Sequence, residues 1–359
     1  MSETGFLVCA DITGYTLYLS KSELEEASGI LGSLLNLLLG EIQAPLHLSR
    51  VEGDAVISYS QAIHGVDPQL LVDRLEATYV AFRRALEQMV LNTSCRCNAC
   101  ANISTLDLKF VVHYGPFVVQ HLGIQDELMG PEVNAMFRLV KNRVRQELGI
   151  PGYIAFTDVA VAALGLPGYA ATLIEHVEDD PERGPVALHV RDMGQVWERR
   201  RHERVVELPE VMLERSEVIA APIETVWSYL THPETRATLM AADKMNSEPL
   251  DDGRIGREAV YVCFHGDTQI RHTVLDWDPP YRYVFESRLP VGLSVLGEFR
   301  SASVDDAATR VEIRIGGLTG PKLKMLRMRS KVKTELEEWA EMVAGNLTAM
   351  ADPNLAGAT

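Results

Sequence analysis

The chain has 359 residues, 50 acidic against 34 basic side chains, a formal net charge of −16, and 47% hydrophobic residues. That length suggests two domains, and the acidic balance argues against a broad electrostatic footprint for nucleic acid or anionic lipid. The most apolar run, Gly29 to Leu39, falls short of the roughly 20 residues that cross a bilayer, and Met1-Ser2-Glu3-Thr4 has no basic leader. The expectation is a cytoplasmic chain with no membrane span, and the five cysteines, three of them in Cys95-Arg96-Cys97-Asn98-Ala99-Cys100, fit a reducing compartment better than a disulfide framework.

Phe6 to Ala10 reads as a fully apolar strand that stops at Asp11, before the turn Ile12-Thr13-Gly14. Leu24, Leu31, Leu34, Leu35 and Leu38 predict an amphipathic helix over about 22–41. Leu46 to Val51 and Ala55 to Tyr59 form a hairpin around Glu52-Gly53-Asp54, which puts a second carboxylate at its tip. A helix marked by Leu71, Leu75, Tyr79, Phe82, Leu86 and Met89 follows, then a predicted hairpin of Leu106 to His113 and Pro116 to Leu122 around Tyr114-Gly115. Val133 to Leu148 reads as one helix closed by Gly149, and Tyr153 to Phe156 as a strand. Ala170 to Ile174 and Val186 to Val190 read as a last strand pair flanking the polar turn 179–184. This order predicts an α+β sheet covered by helices.

The charged stretch Glu198 to Arg204 suits a connector, here assigned to 196–212, between domains over 1–195 and 213–359. In the second, Glu217 to Ile219 reads as a strand, Ala221-Pro222-Ile223-Glu224 opens a helix to Leu230, and strands follow to Ile315. Lys322 to Met350 closes the chain as one long helix, with Leu323, Leu326, Leu336, Trp339, Val343 and Leu347 as its apolar positions. The basic residues at its start, Lys322 to Lys333, read as a solvated face.

Asp11 at a strand end and Asp54 at a hairpin tip meet if their strands are neighbours, and facing carboxylates favour divalent metal. In chain order, Ala10-Asp11-Ile12-Thr13-Gly14-Tyr15-Thr16, Glu52-Gly53-Asp54-Ala55-Val56, His113-Tyr114-Gly115-Pro116 and Gly130-Pro131-Glu132-Val133-Asn134-Ala135-Met136-Phe137-Arg138 resemble the motifs of class III nucleotidyl cyclase catalytic domains. The resemblance covers residues 5 to about 195 and implies a ferredoxin-like α+β fold. It also implies that Asp11, Asp54 and the Ile12 carbonyl hold two Mg²⁺ or Mn²⁺ ions. Asn134 and Arg138 match the transition-state pair, Asn134 orienting the ribose and Arg138 the triphosphate, and their i, i+4 spacing puts both on one helix face.

Arg50 and Glu127 stand where the family reads the base; they keep the charges of the usual residues and suit adenine, with guanine or a pyrimidine as alternatives. Met136 and Phe137 replace residues that are commonly small. The family's sites form between two subunits, so the resemblance implies a homodimer acting on a nucleoside triphosphate. Cys95, Cys97 and Cys100 are a candidate structural zinc site with a fourth ligand from His113, His121 or Cys9, the alternative being free or redox-sensitive thiols. No P-loop, HExxH or GxSxG signature occurs.

Arg215 to Leu230, Asp276-Trp277-Asp278-Pro279-Pro280 and the closing helix resemble the START-like polyketide cyclase/dehydrase superfamily over about 213–350. That resemblance implies a helix-grip fold with an apolar cavity for a small molecule or lipid. Two functions remain open at this point. One is a nucleotidyl cyclase modulated by a ligand of the second domain; the other is a catalytically silent cyclase-fold scaffold or nucleotide sensor joined to that domain.

Overall fold

A computed structural model describes residues 2–42, 44–61, 67–123 and 125–352, and the chain divides into two units between Glu203 and Arg204. Both mix helices with strands. The first unit runs β1 (Ser2–Thr13), α1 (Tyr15–Lys21), α2 (Leu24–Glu41), β2 (His47–Glu52), β3 (Ala55–Gln61), α3 (Pro68–Asn92), α4 (Asn98–Asn102), β4 (Asp107–Leu122), β5 (Gln125–Met129), α5 (Pro131–Val140), α6 (Val144–Leu148), β6 (Tyr153–Thr157), α7 (Asp158–Leu164), α8 (Pro167–Ala170), β7 (Ile174–Asp180), β8 (Gly184–Asp192) and α9 (Met193–Arg200).

The sheet has the order β2-β3-β1-β4-β6-β8-β7, with β5 pairing on the far end of β4. Only β4 and β6 run parallel among these pairs. The Phe6–Ala10 run of β1 is apolar because both of its faces are covered. Val8, Ala10 and Ile12 pack with Leu31, Leu34 and Leu38 of α2 and Leu75, Tyr79 and Phe82 of α3. Leu7 and Cys9 point the other way, to Val133, Met136 and Leu139 of α5. By strand alternation Asp11 follows Leu7 and Cys9 onto the α5 face.

Three local expectations are corrected. The hairpin around Tyr114-Gly115 does not form: β4 is one continuous strand that pairs with β1 from Asp107 to Val118. Gly115 answers a close approach rather than a turn, since a Cβ there would lie 2.7 Å from Cγ of Glu132. The helix expected over 133–148 is broken into α5 and α6 by Asn142, whose Nδ2 donates to Leu139 O at 2.8 Å and whose Oδ1 accepts from Val144 N at 3.1 Å. These side-chain bonds replace backbone ones lost at the break. The strand expected over Ala170 to Ile174 is the end of α8 and a turn, and the pairing strand β7 begins at Ile174. Within the expected connector, α9 buries Val196 and Trp197 in the first unit.

The second unit contains β9 (Val211–Ile219), α10 (Ile223–Thr231), α11 (Pro233–Leu239), β10 (Lys244–Glu248), β11 (Val260–His265), β12 (Thr268–Asp278), β13 (Arg282–Arg288), β14 (Ser294–Asp305), β15 (Ala308–Thr319) and α12 (Lys322–Met350). Its seven strands form an antiparallel sheet, β10-β11-β12-β13-β14-β15-β9. Trp227 of α10 meets Trp277 and Tyr283, and Phe299 continues the aromatic cluster from Tyr283 to Trp339 of α12. The buried seam of α12 is Val332, Ala340, Val343, Ala344 and Leu347. Leu323 and Leu326, expected on that seam, are 63% and 78% exposed because the seam starts only at Val332.

Candidate functional site

Asp11 pairs in register with Ala55 of β3 on one side and Lys109 of β4 on the other. Asp54 is the residue before Ala55, so the β1–β3 pairing brings both carboxylates to one end of adjacent strands. Gly53, with φ +63°, takes the left-handed position of the hairpin turn that aims Asp54 there. The turn is tied to β1 by Ile12 N donating to Asp54 O at 3.3 Å. Ile12 buries its side chain on the opposite face, leaving its carbonyl as the oxygen it can offer.

Burial pushes the Asp11 carboxyl above its ordinary range, with Lys109 opposing. Asp54 is raised by burial and then by the negative charge of Asp11. The in-register pairing of Asp11 with Ala55, the residue after Asp54, is the geometric source of that repulsion. Lys109 Nζ lies 3.4 Å from Asp11 Oδ1 and donates to Val140 O at 3.0 Å. One ammonium faces two half-buried carboxylates, and that deficit of positive charge on hard oxygen donors fits Mg²⁺ or Mn²⁺.

Arg50 of β2 and Glu127 of β5 are brought together: Nη1 of Arg50 donates to the Glu127 carboxylate. Ser49 Oγ donates to Asp126 O at 2.6 Å, holding β2 against β5. Arg50 also pairs with Glu52 at 3.1 Å, and its guanidinium lies 5.2 Å from the ring centre of Phe137. The bulky Phe137 thus stacks on Arg50.

Asn134 is exposed on α5 and Arg138 lies half-buried one turn later. Arg138 Nε donates to Asp180 Oδ2 at 2.7 Å, and its Nη1 lies 3.1 Å from Glu182 Oε2. The Arg138 guanidinium, helped by the N–H groups of Glu182 and Arg183, holds the Asp180 carboxyl down at about 2. Sequence reasoning missed Asp180, Glu182 and Lys109. The first two read as an ordinary polar turn and the third as one strand lysine, and no local pattern reports that a fold will aim them at Arg138 and Asp11.

The sulfurs of Cys95, Cys97 and Cys100 lie within 4.8 Å of one another. Cys97 N donates to Cys95 Sγ and Cys100 N to Cys97 Sγ, each at 3.4 Å. The loop is anchored by Glu23, whose carboxylate accepts from Asn98 N and Ala99 N at 3.2 and 3.0 Å, and by Tyr18 OH donating to Ala99 O at 3.0 Å. The N–H of Cys97 draws the Cys95 thiol below its ordinary range, while Cys97, against the lowering N–H of Cys100, is pushed up to about 11 by the neighbouring thiols. The residues expected to supply a fourth ligand are engaged elsewhere. His113 bridges Thr157 and Glu132, His121 pairs with Asp126, and Cys9 is buried on the α5 face.

Residues 31–148 match a family model described as a protein of unknown function (DUF2652), and residues 210–349 match one described as polyketide cyclase / dehydrase and lipid transport. A curated relative, an uncharacterized protein of Mycobacterium tuberculosis, is 30% identical over 119 residues, 33% of this chain and 53% of its own length. The chain therefore spans about half the length of that relative. Among solved structures, the first unit is similar to an adenylyl cyclase from P. aeruginosa, with TM-score 0.40 and 15% identity over 54% of this chain and 95% of that one. It is also similar to the guanylyl cyclase domain of a fusion protein from the fungus Blastocladiella emersonii, with TM-score 0.36 and 16% identity over 53% of this chain and 97% of that one. The second unit is similar to a protein from Mesorhizobium loti, with TM-score 0.29 and 15% identity over 38% of this chain and 95% of that one. Among the described residues no helix is long and apolar enough to cross a membrane.

Proposed function

We propose that the first unit is the catalytic half of a nucleotidyl cyclase. It converts a nucleoside triphosphate, with ATP favoured, to the cyclic 3′,5′-monophosphate and pyrophosphate at a homodimer interface. The observation that carries this reading is the placement of Asp11 and Asp54 at one end of the adjacent strands β1 and β3, where Asp11 pairs in register with Ala55 and has Lys109 Nζ at 3.4 Å. Two Mg²⁺ or Mn²⁺ ions, when bound there, supply charge neutralisation for the triphosphate and the attacking ribose oxygen. Asp11 and Asp54 hold and orient that charge, and Lys109 keeps Asp11 ionised and aimed.

The 3′-oxygen attacks the α-phosphorus, its proton passing to solvent. The bond to the bridging oxygen breaks as pyrophosphate leaves. Asn134 of the partner protomer orients the ribose, and its Arg138 stabilises charge on the phosphate oxygens. The Arg50 and Glu127 pair reads the base, Glu127 accepting from an exocyclic amine and Arg50 donating to a ring nitrogen. The cysteine loop offers three thiols to a Zn²⁺ whose fourth ligand would come from outside the loop, the alternative being free or redox-sensitive thiols, and the second unit binds an apolar small molecule or lipid that modulates the dimer. The reaction takes place in the cytoplasm, where thiols stay reduced.

A second reading, a silent scaffold or nucleotide sensor, is favoured by the pairing of Arg138 with Asp180 and Glu182, which occupies the guanidinium. The two readings separate when the protein is incubated with each of the four ribonucleoside triphosphates plus Mn²⁺ or Mg²⁺ and analysed by mass spectrometry. The cyclase reading expects cyclic monophosphate and pyrophosphate from one triphosphate, reduced at least about 100-fold in Asp54→Ala. No product from any of them, with triphosphate binding retained or absent, contradicts it.

A further inference from the structure

We infer that Arg236, in the interior of the second unit, is the anchor for a carboxylate carried by an otherwise apolar ligand. The inference rests on the reading of residues 210–349 as a ligand-binding domain and specifies what it binds.

Arg236 sits on α11 and is fully buried, at 0% exposure. Its Nη1 donates to Leu230 O at 2.7 Å, at the C-terminal end of α10, and to the Tyr283 hydroxyl. The guanidinium is walled by aromatic rings, 4.5 Å from the centre of Tyr261, 5.6 Å from Tyr283 and 5.7 Å from Phe285. Nε and Nη2 have no hydrogen-bond partner. Other buried arginines of this chain are paired: Arg74 with Glu41 at 3.1 Å, and Arg254 with Asp252 at 2.9 Å. Among the described residues no carboxylate pairs with Arg236.

A buried cation without a counter-charge is costly, and the rings and one helix end offset only part of that cost. The unmet donors also have a shape. Nε–H and one Nη2–H project in parallel from the same edge of the guanidinium, the edge that receives both oxygens of a carboxylate as a fork. A phosphate monoester would bring two negative charges against one positive, leaving an uncompensated charge in a closed interior, so a singly charged acid is the better match.

The neighbouring polar groups cannot change that count. His272 is bonded to Ser287 Oγ at 2.6 Å and to Cys263 Sγ at 3.0 Å. Burial and then Arg236 push its pKa down to about 3, so it stays neutral near pH 7. Tyr261, Tyr283 and Phe285 pack over the guanidinium and close it off in this structure, so an acid reaches the free donors by displacing that packing, its apolar body taking the place of the ring contacts.

The test uses the full chain and three probe series, fatty acids from octanoic to hexadecanoic, the matching alcohols and the matching alkyl phosphates, read by tryptophan fluorescence and melting temperature. The expected result is that at least one fatty acid binds about tenfold or more tighter than its alcohol and its phosphate, and that Arg236→Met abolishes the preference while keeping alcohol binding. Arg236→Lys, which keeps the charge without the fork, is expected to lose most of the preference as well and serves if the Met variant does not fold. Equal affinity for acid and alcohol, or a preference unchanged in both variants, overturns the inference while leaving the ligand-binding reading intact. Tighter binding of the phosphate overturns the carboxylate assignment. Binding of none of the probes overturns both.

Discussion

Arg138 and Glu132 stand on the same helix and are each locked to carboxylate or cation partners reached only through the fold. Arg138 grips Asp180, and Glu132 accepts from Arg183 at 2.8 Å and meets His113 at 2.7 Å. Glu132 is held down at about 2, chiefly by Arg183, and Asp180 at about 2, chiefly by Arg138. Both lie below the roughly 4 of a carboxylate in an unfolded chain. A depressed native pKa contributes stability that is fully present above the unfolded value and is lost as pH falls through the native one. Stability of the first unit is thus expected to decline between about pH 4 and pH 2. Urea unfolding at steps across that window checks it: Glu132→Gln and Asp180→Asn should each flatten the decline, and an unchanged slope in both would contradict the assignment. The candidate residues Asp11, Asp54, Asn134 and Arg138 could be singled out because each sits in a short local string, and Arg50 and Glu127 only by their positions near those strings. Lys109, Asp180 and Glu182 were not, because their roles are tertiary.

At the scale of elements, periodicity was readable wherever one face met a core. The apolar run of β1 and the leucine spacing of α2 lie over the two layers that bury them. Legibility failed where backbone needs imitate turn chemistry. Tyr114-Gly115-Pro116 has turn composition, yet Gly115 is an extended residue making room for Glu132. Asn142 interrupts a helical pattern because its side chain satisfies the backbone around the break and accepts from Tyr153 OH at 2.6 Å. The short helices α7, α8 and α9 were missed because so few residues give too little periodicity. The cysteine loop before α4 makes its own prediction. Purified under reducing conditions, the chain should contain about one zinc per protomer by atomic absorption, and Cys97→Ser or chelation should lower the melting temperature by several degrees. Metal-free protein with an unchanged melt would identify the cluster as thiols only.

For the molecule as a whole, the chain divides after Glu203, inside the stretch 196–212 expected as a connector. The exposed charge of the expected connector was misleading at its start, since Trp197 lies buried beneath the charged face of α9. The long helix was readable to the residue, its buried seam less so, because composition alone does not say where a helix leaves the sheet it packs on. The central claim concerns two protomers: the carboxylates of one chain complete a site with Asn134 and Arg138 of another. Asp54→Ala and Arg138→Ala should each be inactive alone. Mixed in equal amounts and allowed to exchange, half of the dimers are mixed and each of those carries one intact site, so turnover should return to about a quarter of the wild-type rate. A mixture as inactive as its parents, beside an active wild type, would contradict the account.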